Sequence, residues 1–122
     1  MEVNIENEEA LKTVAQQFIE SVDAQNAEQL QAVLLDGAQQ HLLYQGKHMM
    51  LTTEQYIGMM KAGKVGGKKR SMEIINFDSV GETTATIKVK AKGEAGPTFT
   101  YYLSLLKIEG NWKIVGVLTH VG

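Results

Sequence analysis

Three histidines, His41, His48 and His120, and a small set of tyrosines are the side chains here best suited to moving a proton or gripping a polar ligand. Histidine changes charge near its free pKa of about 6.5, and a tyrosine hydroxyl both donates and accepts. His41, Tyr44, Tyr56, Tyr101 and His120, with the adaptable thioether of Met60, are the candidate ligand-binding residues. Other chemistries find no support. No two histidines stand one helical turn apart, so no metal site is expected. The chain has no cysteine, which removes thiol nucleophiles and thiolate ligands. The only serine in the last strand pair, Ser104, falls on the face opposite that assigned to His120, so no Ser–His–Asp triad is legible. KAGKVGGKKR, residues 61–70, lacks the gap and the Ser or Thr of a phosphate loop, and no cofactor is expected. Its five bases have no interleaved aromatic residues and sit in a chain of net charge −2. They read as a solvated loop rather than a nucleic-acid contact.

The elements that must position these groups follow from periodicity. In the first helix, Asn7 is placed as the cap and Glu8 and Glu9 in the first turn. Leu11, Val14, Ala15, Phe18, Ile19 and Val22 form its apolar stripe. Asn26 caps a short second helix, expected to stop at Gly37. Gln40–Tyr44 and His48–Leu51 read as a strand pair around Gln45–Lys47. Thr52 with Gln55 is a capping box opening a third helix through Lys61, stopped by Gly63, Gly66 and Gly67. Four strands follow: 71–80, 83–92, 98–108 and 112–121. In the second of these Ala85, Ile87, Val89 and Ala91 alternate with Thr86, Lys88, Lys90 and Lys92, giving one dry face and one wet face. The fold class is α+β: a curved antiparallel sheet of about six strands wrapped around three helices, in one domain spanning 1–122.

Charge is uneven. Residues 1–60 carry nine acids and two bases, and residues 61–122 carry five acids and ten bases. The acidic start is unlike a signal peptide, and no run is long enough for a membrane span. A cytoplasmic protein, with no membrane or nucleic-acid partner, is expected.

The closing hairpin makes the sharpest demand. A two-residue loop, Glu109–Gly110 or Gly110–Asn111, sets Phe99, Tyr101, Leu103 and Leu105 on one face with Trp112, Ile114, Gly116, Leu118 and His120. This face, the more apolar, is placed inward, with His120 at the open end of the sheet near Tyr101. The other face still shows Tyr102, Leu106, Val115 and Val117. An apolar patch of this kind is uncommon on a soluble monomer, so these four residues are expected to form a homodimer interface.

The order of elements, the helical pair ALKTVAQQFIESVDAQNAEQLQAVL and the ending YLSLLKIEGNWKIVGVLTH resemble the putative lumazine-binding family. That family lies within the cone-shaped superfamily of nuclear transport factor 2 and ketosteroid isomerase. The resemblance spans roughly Glu8 to His120. It implies a curved sheet around three helices, often dimeric, with a pocket inside the cone. It does not choose between a small-molecule-binding protein, a lyase or isomerase using His/Tyr acid–base chemistry on a small cyclic or aromatic substrate, and a dimeric interaction module. An isomerase of the ketosteroid type needs a pocket carboxylate. Asp36, Asp78 and Glu109 all read instead as surface acids.

Overall fold

A computed structural model describes residues 5–122, and the start of the acidic opening stretch, residues 1–4, lies outside them. The elements are α1 (Ile5–Asp23), α2 (Ala27–Val33), β1 (Leu34–Tyr44), β2 (Lys47–Thr52), α3 (Thr53–Lys61), β3 (Ser71–Val80), β4 (Thr84–Lys92), β5 (Thr98–Ile108) and β6 (Asn111–Val121). The six strands form one sheet in the order β2-β1-β6-β5-β4-β3. Its ladders are antiparallel except β1–β6, which is parallel because α3 and the β3–β4–β5 meander intervene between these neighbours. The three helices pack on one face, and the core lies between them and the sheet. No described helix is long and apolar enough to cross a membrane.

The helix termini follow their capping chemistry with two corrections. Asn26 caps α2 by accepting from Gln29 N–H, and Thr52 with Gln55 forms the expected reciprocal box at α3. Asn7 is not a cap, because α1 already runs from Ile5 and places it inside the first turns. Gly37 does not stop α2. That helix ends at Val33, and Gly37 lies within β1 at a φ of +86°, where the β1–β6 register slips between Leu34 and Gln39. Glycine suits this bulge because it adopts positive φ without a Cβ clash. The buried Thr53 hydroxyl donates to the carbonyls of Leu35 and Ala38, satisfying backbone that the bulge leaves unpaired.

The dry face of β4 is as expected: Ala85, Ile87, Val89 and Ala91 are all buried. The last hairpin departs from the parity argument. Its loop is Glu109–Gly110, both residues at positive φ, as a two-residue turn requires. The pairing then slips: Leu105 faces Ile114, but Ser104 faces Gly116, leaving Val115 as an extra residue. One extra residue turns every later side chain to the opposite face. Val117 is therefore 4% exposed and part of the core, not of the outer face. Leu118, 56% exposed, and His120 point outward instead of inward, and Thr119 and Val121 take the inner positions beside Tyr101 and Phe99. Val115 itself is half-buried. Tyr102 and Leu106, before the slip, are on the outer face as expected.

Candidate functional site

The chain's twelve basic residues include one arginine, Arg70, at the end of the glycine-rich loop and immediately before β3. That loop does not lie free in solvent. α3 ends in a Schellman motif: Gly63 N–H donates to Met60 and Lys64 N–H to Met59. The chain then folds back on the C-terminus of α1, where Gly67 N–H donates to the Asp23 carbonyl and the Gln25 amide donates to the Val65 carbonyl. At Gly66, φ is +78° and a Cβ would stand 2.0 Å from the Val22 carbonyl oxygen, so no other residue fits this close approach. The docked loop carries Arg70 inside.

There Arg70 Nε–H donates to Asp23 Oδ1 at 2.7 Å, and the Arg70 backbone N–H donates to Asp23 Oδ2 at 3.0 Å. The two side chains are only 10% and 9% exposed. Arg70 Nη1–H donates to the Tyr101 hydroxyl at 2.8 Å. The guanidinium also lies over the rings of Phe99, at 5.0 Å, and Tyr101, at 5.7 Å. Phe99 stacks on Tyr101, and Phe18 of α1 meets Tyr101 edge-on. Tyr56, on the inner face of α3, is within electrostatic reach of Tyr101, Arg70 and Asp23. The result is a charge-compensated pair walled by aromatic rings.

Burial governs the protonation of this cluster. It pushes the Tyr56 hydroxyl far above its ordinary value, and the proximity of Tyr101 adds to the rise. It also raises Tyr101, although Arg70 beside it pulls the other way. Both are neutral phenols near neutral pH. Burial works against the charge of Arg70, yet Tyr101 and Asp23 more than offset it and the guanidinium is held above its ordinary value. With Tyr101 neutral, the charge compensating Arg70 is that of Asp23. Both Asp23 oxygens accept from Arg70. Arg70 Nη2 is the exception: it is buried and has no hydrogen-bond partner. Outside the pair, a cleft of about 520 Å³ runs between α1 and the start of β3, lined by Ile19, Glu20, Asp23, Lys69, Arg70 and Met72 among others.

The structure gathers Tyr56 and Tyr101 in this cluster and buries Met60 in the same core, one turn along α3 from Tyr56. It does not bring the other candidates there. Tyr44, half-exposed, lies at the tip of the β1–β2 hairpin. His120 is carried to the exposed face by the Val115 slip. His41 stacks on His48, Nδ1 to Nε2 at 3.0 Å, on the outer face of β1 and β2. No group of three metal-ligating side chains occurs among the described residues. Asp36, Asp78 and Glu109 are exposed. Sequence reasoning missed Asp23 and Arg70. Two signals pointed to them: a lone arginine among lysines, the residue suited to buried planar pairing, and an acid in the last turn of a helix, where the dipole disfavours it.

The model of the family described as putative lumazine-binding matches residues 6–118. No curated protein matches the chain. Among solved structures, an NTF-2-like protein of unknown function from Silicibacter pomeroyi is 20% identical, with a TM-score of 0.87 over 99% of this chain and 100% of that one. One from Shewanella baltica is 18% identical, with a TM-score of 0.87 over 100% and 98%. A cystatin-like-fold protein of unknown function from Nostoc punctiforme is 14% identical, with a TM-score of 0.79 over 100% and 96%. At these identities the structures establish the fold alone. The family match covers most of the sequence, and the chain belongs to the putative lumazine-binding family.

Proposed function

We propose that this member of the family is a small-molecule-binding protein whose ligand is anchored by Arg70 among the rings of Tyr56, Phe99 and Tyr101. The observation that carries this reading is the unpartnered, buried Arg70 Nη2. A buried donor left without an acceptor costs on the order of 1–3 kcal/mol, and a ligand oxygen placed there recovers it. The adjoining cleft of about 520 Å³ is the way in, and its size is that of ordinary ligand sites. Binding is favoured over lyase or isomerase chemistry. The histidine suited to proton transfer faces outward. The test is a screen of flat one- to three-ring compounds, read by NMR at the Arg70 side-chain N–H signals. Binders that move Arg70 and Tyr101 signals are expected. Binders that leave both unmoved while shifting residues elsewhere refute the reading.

A second reading concerns assembly. Outer-face residues Met50, His41, Leu118 and Tyr102 stand in one cross-strand row, with Leu43 in the next row and Leu106 two rows away on the other side. We propose that this face pairs with a second copy of the chain, burying about 800 Å² on each. Sedimentation of wild type as a dimer at micromolar concentration, and of Leu118→Lys/Tyr102→Lys as a monomer, is the expected outcome. A monomeric wild type ends the proposal.

A further inference from the structure

All three histidines of the chain stand on one surface, the outer face of β2, β1, β6 and β5. His41 lies in the apolar row of Met50, Leu118 and Tyr102. His48 opposite Leu43, and His120 opposite Thr100, follow in the next row. His48 Nε2–H donates to His41 Nδ1 at 3.0 Å, and His41 Nε2–H donates to the Gln39 amide oxygen at 3.2 Å. With both rings neutral, each bond has one donor and one acceptor. The lone pair left over is on His48 Nδ1, so a first proton goes there and turns the pair into a cation. A second must take His41 Nδ1, which breaks the bond and sets two like charges side by side.

Nothing acidic faces this pair. Among the described residues, the outer face of these four strands carries no carboxylate. Asp36 is at the far end of β1, on the other side of the Gly37 bulge, and Glu73 and Asp78 are on β3 at the opposite edge of the sheet. Glu28 of α2 and Glu54 and Lys61 of α3 belong to helices packed on the other face. The bases are few or drawn aside. Lys47 is exposed at the hairpin tip, Lys113 Nζ donates back to the Ala32 carbonyl at the end of α2, and Lys88 of β4 lies over the Tyr102 ring. A twofold interface lays a patch against its own image, so any charge meets its like. While its histidines are neutral, this patch is compatible with itself, which favours a second copy as its occupant.

Resting on the twofold pairing proposed above, we infer that the His41–His48 pair makes this association pH-dependent: copies join while the pair is neutral and separate when it takes up a proton. Free histidine changes charge near pH 6.5. On the single chain, water solvates the cation. Between two copies the same charge is shut in with no acid to compensate it. Below about pH 6.5 the separated chains therefore bind more protons than the dimer, and acid draws the equilibrium toward them. One excluded proton on each copy weakens the dimer about 100-fold between pH 7.5 and 5.5.

Sedimentation equilibrium of the full chain at both pH values tests this, with circular dichroism to follow the fold. Wild type is expected to lose about 100-fold in dimer affinity at pH 5.5 with its helical signal intact. His41→Gln/His48→Gln is expected to hold the same affinity at both, and His120→Gln to keep the wild-type dependence. A dependence that survives in the double variant, or that vanishes in His120→Gln, overturns the assignment to the pair. Should the double variant fail to fold, the wild-type slope of log Kd against pH still decides: about two protons taken up per dimer separated is expected, and none overturns the inference. Dissociation that coincides with loss of helical signal overturns it as well. A wild-type dimer equally tight at both pH values overturns it while sparing the pairing of copies. A wild type monomeric at both overturns both.

Discussion

Two polar clusters occupy opposite faces of one sheet. Inside, Arg70 meets Asp23 at 2.7 Å, with both side chains about nine-tenths buried. Outside, His41 meets His48 at 3.0 Å, with the Gln39 amide oxygen accepting from the far ring nitrogen. The distances are similar and the surroundings are not. On the single chain, water reaches the histidine pair whether or not it forms, so its geometry carries little free energy. The inner pair has given up its water, so each member depends on the other. Proximity between polar groups identifies a candidate site only together with enclosure.

The largest expected effect comes from breaking the inner pair. Arg70→Met strands the Asp23 carboxylate in the core and is expected to cost about 3–5 kcal/mol in denaturant unfolding. Asp23→Asn/Arg70→Met removes the stranded charge and is expected to recover most of that loss. If the single variant unfolds like wild type, the inner cluster is no more consequential than the outer one.

A middling effect lies in alkali. An unfolded tyrosine ionises near pH 10, whereas Tyr56 and Tyr101 hold their protons higher when folded. Below about pH 10 both states are neutral and these groups leave stability unchanged. Above it the unfolded state alone loses the proton, and stability falls by about 1.4 kcal/mol per pH unit for each such tyrosine. Unfolding curves for Tyr56→Phe between pH 9 and 11 are expected to lose about 1.4 kcal/mol less stability in total than wild type, most of it above pH 10. An unchanged slope places Tyr56 in contact with water.

The smallest effect is expected on the outer face. In the monomeric Leu118→Lys/Tyr102→Lys background, His41→Ala removes a hydrogen bond and a stacked ring in solvent and is expected to change stability by no more than about 0.5 kcal/mol. Binding of the screened compounds at Arg70 should stay the same. A loss of several-fold in that affinity would join the two faces energetically and dissolve the contrast between them.

Much of the fold was legible locally. The α1 stripe, the Asn26 cap, the Thr52–Gln55 box and the alternation of β4 each depend on side chains a few residues apart, and each appears as expected. The break in alternation at Ile74–Ile75 is also visible in the sequence, and β3 slips register between Ile74 and Asn76. Val115 gave no such sign. VGVL is apolar on either parity, so its pattern is equally good with or without an extra residue. Of the site, Tyr56, Met60 and Tyr101 could be found because buried hydroxyls and thioethers stand out on apolar faces. Arg70 was hidden in a run of lysines that looks like a solubilising loop.

The sequence alone determined which segments become helices and strands, because capping and periodicity act over one or two turns of chain. Tertiary structure decided which side of β6 faces inward after Val115, since a bulge exists only relative to the partner strand that it fails to match. It also decided that Arg70 is an interior group, since the cost and meaning of a charge depend on how much water the rest of the fold leaves around it.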